Sequence, residues 1–357
     1  MVIQSFFSSG QELSEPLKIA VIGLTHTHVH WILGRPEIGD IEIVGIVEPN
    51  LELAKRYAAQ HGFSMDLVYK SSEALLADVR PEAVAAFGPI YDHLKVVQTF
   101  APLGMHIMVE KPLAVNMEHA RKIEALVRKH HVHLFTNYET SWYPSNAMAY
   151  ELIQKDSIGE LKKIVVHDGH RGPQEIGVNE EFLEWLRNPE LNGGGAVTDF
   201  GCYGANLITW LAGGKRPLSV TAILQSLKPE VYPDVDDEAT IILTYPDMQG
   251  IIQASWNWPV ARKDMEVYGD RGQLFCDNAK ELRVQYSEKA SMQKMTLPDL
   301  PPPDNDPFAK FAALIRNNSS LGSYDLSGLE NNMLVVEILD AAKNSARQAK
   351  TIFLDQK

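Results

Sequence analysis

Cysteine is nearly absent. Cys202 and Cys276 are the only two in 357 residues, too few for a disulfide framework or a four-thiolate metal site. Long apolar runs are missing as well, and no stretch approaches the roughly 18 residues that a membrane span needs. Positive charge is in deficit: 33 Lys and Arg stand against 46 Asp and Glu, a net charge of −13. A broad basic face for nucleic acid or anionic lipid is therefore not expected. No Lys or Arg precedes Lys18, while Glu12 and Glu15 fall in that stretch. This is the wrong pattern for a signal peptide and points to a cytoplasmic protein whose partner is a small molecule, with neither nucleic acid nor membrane involved. What remains is ordinary for a globular enzyme, 45% apolar and 22% charged, with length for about two domains of roughly 150 residues each.

Six short apolar runs rich in β-branched residues read as parallel strands buried on both faces: 18–23, 42–48, 67–69, 83–88, 106–110 and 132–138. Helical spacing lies between them, most clearly at Met117, Ala120, Ile123, Leu126 and Val127, with Asn116 as the expected N-cap. Alternating strand and helix argue for an α/β fold, a doubly wound parallel sheet that binds its ligand beyond the strands' carboxyl ends. After about Tyr138 the rhythm changes. A helix over 145–155 is followed by strands at 163–167, 218–227, 239–245, 250–257, 265–269 and 281–285, and by closing helices near 308–316 and 329–347. This second region reads as an α+β domain with a mostly antiparallel open sheet.

Three segments carry chemistry. The first strand–helix turn runs Gly23, Leu24, Thr25, His26, Thr27, His28. Of the glycines in a G-x-G-x-x-G dinucleotide fingerprint only Gly23 is present, with Thr25 and His28 at the other two positions. Glu48, at the end of the second strand, is placed to accept from a ribose 2′-hydroxyl, which favours NAD over NADP. At the end of the fifth strand stands Glu110-Lys111-Pro112, where Pro112 keeps Lys111 extended and a lysine can polarise a reacting oxygen. The third segment follows Gly193-Gly194-Gly195: Asp199, Tyr203 and Asn206, spaced i, i+4, i+7, share one face of a single expected helix. Alternate histidines His26, His28 and His30, with His93 at the same edge, can ligate a metal or contact the nicotinamide ribose and substrate. A polar loop opening a helix needs no metal, and none is expected. Pro89 flanks the same loop as His93. Residues 137–143 join the domains, and Trp142 and Tyr143 either stack on a sugar face or pack in the hinge.

Taken together, the Gly23 turn, Glu48-Pro49-Asn50, Glu110-Lys111-Pro112 and Gly193-Gly194-Gly195…Asp199-x-Gly201-x-Tyr203 resemble the Gfo/Idh/MocA oxidoreductase family. The resemblance extends to Asp236-Asp237-Glu238, Tyr268-Gly269 and Asp340-Ala341-Ala342. It implies an NAD(P)-binding Rossmann domain over 17–137 and a substrate-binding, dimerising domain over 138–357. The implied assembly is a homodimer or homotetramer, and the implied reaction is hydride transfer between nicotinamide and a hydroxyl carbon of a sugar, glycoside or cyclitol. Lys111 then orients the reacting oxygen, Tyr203 moves its proton, and Asp199 and Asn206 bind neighbouring hydroxyls. Gly23, Thr25, His26, His28, Glu48, Pro89, His93 and Glu110 fall on the cofactor side. Many relatives carry histidine where Tyr203 stands; a phenol has a pKa near 10, so Lys111 would have to favour the phenolate. Two other readings stay open: an NAD-dependent glycosidase working by oxidation and elimination, and a non-catalytic sugar sensor, which the depleted glycine fingerprint favours.

Overall fold

The structure, a computed structural model, describes residues 15–355. The six apolar runs form β1 (Leu17–Ile22), β2 (Ile41–Val47), β3 (Val68–Tyr69), β4 (Ala83–Ala86), β5 (His106–Glu110) and β6 (Leu134–Asn137). They make one parallel sheet in the order β3-β2-β1-β4-β5-β6. Helices on both faces leave little of the sheet exposed, and all four residues of β4 are buried. Asn116 caps the helix Met117–His130 as its position predicts, its side chain accepting from His119 N–H. The strand order reverses between β1 and β4, which opens a crevice at their carboxyl ends. Gly23 follows β1 with φ +80, and a Cβ there would lie 3.0 Å from the backbone nitrogen of Gly88, so the close approach of these two turns requires glycine.

The second sheet has nine strands in the order β14-β13-β12-β11-β7-β10-β9-β8-β15. They are β7 (Leu161–Gly169), β8 (Ser219–Gln225), β9 (Glu238–Thr244), β10 (Gln249–Ser255), β11 (Arg262–Gly269), β12 (Gln273–Cys276), β13 (Glu281–Gln285), β14 (Gln293–Thr296) and β15 (Ile352–Phe353). Only β7 and β10 run parallel; the other pairs are antiparallel. β12, β14 and β15 have no counterpart among the predicted strands, being two to four residues long and too short for a period to show.

Helices Gly201–Leu211 and Leu329–Gln348 cover one face of this sheet. The second of them also reaches back: Val336 packs in the core of the first domain, Met117 N–H donates to Asp340, and the Lys343 ammonium donates to the carbonyls of Val115 and Gly193. The helix Pro307–Arg316 returns further, placing Phe308 and Phe311 in one core with Leu17, Ile19 and Val21. The two closing helices thus contribute to the cores of both regions.

Candidate active site

Lys111 and Asp199 lie 88 residues apart in sequence and meet in the crevice between the two sheets. The Lys111 ammonium donates to Asp199 Oδ1 at 2.5 Å and to its main-chain carbonyl at 2.9 Å, with both side chains under 10% exposed. Asp199 Oδ2 accepts from the indole N–H of Trp256 at 3.0 Å. Burial pulls the lysine toward neutrality, yet the adjoining carboxylate outweighs it and the ammonium stays charged. Burial likewise pushes Asp199 up, and Lys111 brings it below its ordinary value. One ammonium N–H is left over for a reacting oxygen.

Tyr203 is 1% exposed, its ring 5.0 Å from the Lys111 nitrogen and 4.6 Å from that of Lys263. The phenolate expected from sequence is not favoured. Burial raises the phenol well above its usual value, Glu139 and Asp168 add to this, and Lys111 is committed to Asp199. Tyr203 is therefore held in its neutral form. The helix expected to run on from Asp199 is also interrupted: a turn at Ala196–Asp199 ends at Phe200, and a new helix begins at Gly201.

These groups line a cavity of about 540 Å³ together with His26, His28, Glu139, Tyr143, Asp168, His170, Phe182 and Lys263. Around His26 and His28, Glu110 organises a network. It accepts from Asn137 at 2.8 Å through Oε1 and contacts His28 Nδ1 at 2.8 Å through Oε2. Glu110 sits behind the histidines and orients them. His26, His28 and Glu110 bring ligand atoms within 4.8 Å of one another. The tautomer of His26 opposes a metal, however: its Nδ1 accepts the His28 backbone N–H at 3.1 Å, so the neutral ring carries its proton on the nitrogen nearer Glu110, where a ligand needs a lone pair.

Burial holds His26 and His28 well below the usual imidazole value and takes His93 down to about 4. Such histidines are neutral when folded and protonate near pH 6.5 when unfolded, so the unfolded chain binds more protons between pH 6.5 and 4. The histidines' contribution to stability should fall as pH drops through that window. Thermal unfolding at pH 7, 6 and 5 measures it, and His93→Gln, whose amide can keep the bond to the Leu113 carbonyl at 3.2 Å, should make the fall shallower. An unchanged profile would refute the assignment to His93.

A second cleft of about 300 Å³ at the ends of β1, β2 and β4 is lined by Gly23, Thr25, Glu48, Ser71, Pro89 and His93, with Lys70 at its side. Glu48 is 3% exposed and is held by the backbone N–H groups of Leu24 at 2.9 Å and Asn50 at 2.8 Å. His93 Nε2 is buried without a hydrogen-bond partner among the described residues. A close backbone approach at Gly23, a fixed carboxylate and an unspent buried imidazole nitrogen fit a dinucleotide. Thr25 lines this cleft and His26 the larger cavity, and over that junction lies the helix Glu180–Leu186. Its Trp185 indole donates to the Thr25 hydroxyl at 3.0 Å, and Phe182 packs on His26.

Three expected site residues stand elsewhere. Asn206 is fully buried, donates to the Leu326 carbonyl at 2.8 Å and does not line the cavity. Trp142 stacks parallel to Phe135 and donates to Asn137, a hinge-packing role. Glu110 lines neither cleft. Sequence reading missed Asp168, His170, Phe182, Trp185, Lys263 and the indole of Trp256, none of which sits in a motif. Asp236 is a further case, known only as part of the family resemblance: its carboxylate accepts from the N–H groups of Gly195 and Val197 and so fixes the turn that presents Asp199.

An NAD-binding Rossmann-fold model of the GFO/IDH/MocA oxidoreductase family matches residues 17–138, and a GFO/IDH/MocA C-terminal domain model matches 147–275. The trans-1,2-dihydrobenzene-1,2-diol dehydrogenase of Xenopus tropicalis is 29% identical over 235 residues, 65% of this chain and 66% of that protein. The NADP-dependent D-xylose 1-dehydrogenase of Haloarcula marismortui is 28% identical over 62% of this chain and 61% of its own. The alignments thus span slightly less than two thirds of these relatives. Among solved structures, an aldose-aldose oxidoreductase from Caulobacter crescentus complexed with glycerol superposes with a TM-score of 0.80 at 20% identity, covering 95% of this chain and 100% of that one. An inositol dehydrogenase homolog from Azotobacter vinelandii complexed with NAD+ superposes with a TM-score of 0.81 at 15% identity, covering 98% and 100%. These superpositions establish the fold.

Proposed function

The chain belongs to the GFO/IDH/MocA oxidoreductases, and from that premise we propose that it moves hydride between a nicotinamide dinucleotide and a hydroxyl-bearing carbon of a neutral sugar- or diol-like substrate. The observation that carries this reading is the meeting of Lys111, Asp199 and Tyr203 in a cavity that adjoins the dinucleotide cleft at Thr25 and His26. A bound nicotinamide supplies the hydride donor or acceptor. Lys111 donates its remaining N–H to the reacting oxygen and stabilises negative charge developing there, while Asp199 keeps the ammonium charged and aimed. Tyr203, neutral at pH 7, gives its phenolic proton to that oxygen, a protonation state suited to carbonyl reduction. Phe182 and Trp185 keep water from the reacting centre.

Glu48 suits the ribose hydroxyls of NAD. Lys70 and Ser71 line the same cleft, where a 2′-phosphate would be received, so both cofactors are tested. The purified protein is denatured and its supernatant assayed for NAD(H) and NADP(H), and the untreated protein is titrated with each by calorimetry. Release, or binding at micromolar Kd, supports the reading; neither release nor binding of either dinucleotide refutes it.

The open face of the second sheet supports pairing of two copies. Thr221, Ile242, Ile251 and Val165 stand in one register row across β8, β9, β10 and β7, and Ile242 and Ile223 are exposed. An apolar row on an uncovered sheet matches an interface between like chains. Ile242→Asp combined with Ile251→Lys should halve the mass measured by light scattering; an unchanged mass would place the contact elsewhere.

A further inference from the structure

Asp168 is a buried acid that the mechanism above does not use. It sits near the carboxyl end of β7, directly across from Lys263 on β11, and is 2% exposed while lining the same cavity as Lys111 and Tyr203. Neither of its carboxyl oxygens has a hydrogen-bond partner among the described residues. Its nearest cation does not serve it, because the Lys263 ammonium is bonded to Glu139. A buried carboxyl group without hydrogen-bond partners is costly, and one that opens on a ligand cavity is relieved when a ligand brings a partner.

The chemistry of that partner follows from the surroundings. An anionic substrate group finds no spare cation: Lys111 is paired with Asp199, Lys263 with Glu139, and Arg262 with Asp264. A cationic group would be brought against Lys263. A hydroxyl, which donates and accepts at once, meets neither objection. We infer that Asp168 is a substrate-binding residue whose carboxyl group holds a hydroxyl beside the reacting carbon, and that it thereby selects neutral polyols over sugar acids and sugar phosphates. The inference rests on the reading of this cavity as the substrate site. Burial shifts Asp168 upward, toward its protonated form, and a protonated carboxyl group offers both an O–H donor and a carbonyl acceptor. An asparagine side chain offers the same pair.

The experiment compares wild type with Asp168→Asn, Asp168→Leu and Asp168→Ala. Each is loaded with NADH or NADPH, whichever the wild type binds, and titrated by calorimetry with D-xylose and with trans-1,2-dihydrobenzene-1,2-diol. The wild type should bind at least one of the two. Asp168→Asn should bind it within about threefold of wild type, while Asp168→Leu and Asp168→Ala should bind it at least tenfold more weakly with dinucleotide affinity unchanged. The alanine variant carries the comparison if the leucine variant does not fold. Wild-type affinity in both truncated variants, loss in Asp168→Asn equal to theirs, or no binding of either polyol by the wild type each overturns the inference. Turnover is followed in the same samples: polyol binding without hydride transfer would refute the redox reading and leave the role of Asp168 standing.

Discussion

Tyr203→Phe is expected to fold like the parent and to lose kcat by about 10²- to 10⁴-fold, the range for removing a positioned proton donor. The ring packs edge-on against Tyr138 at 5.5 Å between centroids, a contact that phenylalanine keeps, and the hydroxyl is not tied to another side chain in the ladder of site hydrogen bonds. Lys111→Met should lose activity to at least the same degree, but its effect on folding is different. From sequence alone this lysine is only a group that polarises the reacting oxygen. Here it neutralises a buried carboxylate, and breaking a buried pair by removing one partner costs about 3–5 kcal/mol. Adding Asp199→Asn to Lys111→Met removes the stranded charge and should return most of the stability while activity stays lost. Steady-state kinetics with urea unfolding of the four proteins of this cycle would decide the matter. Full activity in Tyr203→Phe, or parental stability in Lys111→Met, would contradict the arrangement.

Gly195→Ala is expected to be nearly as damaging without touching a reacting group. A Cβ on Gly195 would fall 1.7 Å from the main-chain oxygen of Asp236, far inside van der Waals contact. The oxygen cannot yield easily, since it accepts the Ala196 N–H at 2.9 Å while the Asp236 carboxylate takes the N–H groups of Gly195 and Val197. The Gly195 carbonyl in turn accepts from Asp199 N–H at 3.0 Å, so any shift is passed to the partner of Lys111. Overpacking of this kind costs about 1–3 kcal/mol and sometimes more. The variant should unfold at lower urea and lose kcat by at least about tenfold. Parental stability and turnover together would show that this turn does not set the position of Asp199.

Much of the fold is legible before any coordinates. All six parallel strands appear within two residues of their apolar runs, and Asn116 caps the helix it was expected to cap. Buried parallel strands announce themselves because both faces are apolar, and caps because the side-chain acceptor must sit at one position. The site is legible only in part. Lys111, Asp199, Tyr203, His26, His28 and Tyr143 come together in one cavity, and Gly23, Thr25, Glu48, Pro89 and His93 in the adjoining cleft. Asn206 was misplaced because a shared helix face does not say how far along the axis the cavity reaches: seven residues carry it about 10 Å beyond Asp199, where it meets Leu326 instead. Asp168 gave no signal, since an acid in an apolar strand looks like any alternation residue until its neighbours are known.

By itself, then, the amino-acid sequence determined which segments become strands and helices, that the first sheet is parallel, and that Lys111 and Glu48 stand at strand ends where ligands bind. These depend on periodicity and turn chemistry, which act over a few residues. Only the tertiary structure decided that Lys111 is spent on Asp199 rather than on a phenolate, that Tyr203 is neutral, that the Asp168 carboxyl finds no hydrogen-bond partner among the described residues, and that Trp185 closes over Thr25. Those outcomes are set by burial and by which charges meet across 50 to 160 residues of chain. Electrostatic pairing and desolvation act through space, and no local pattern records them.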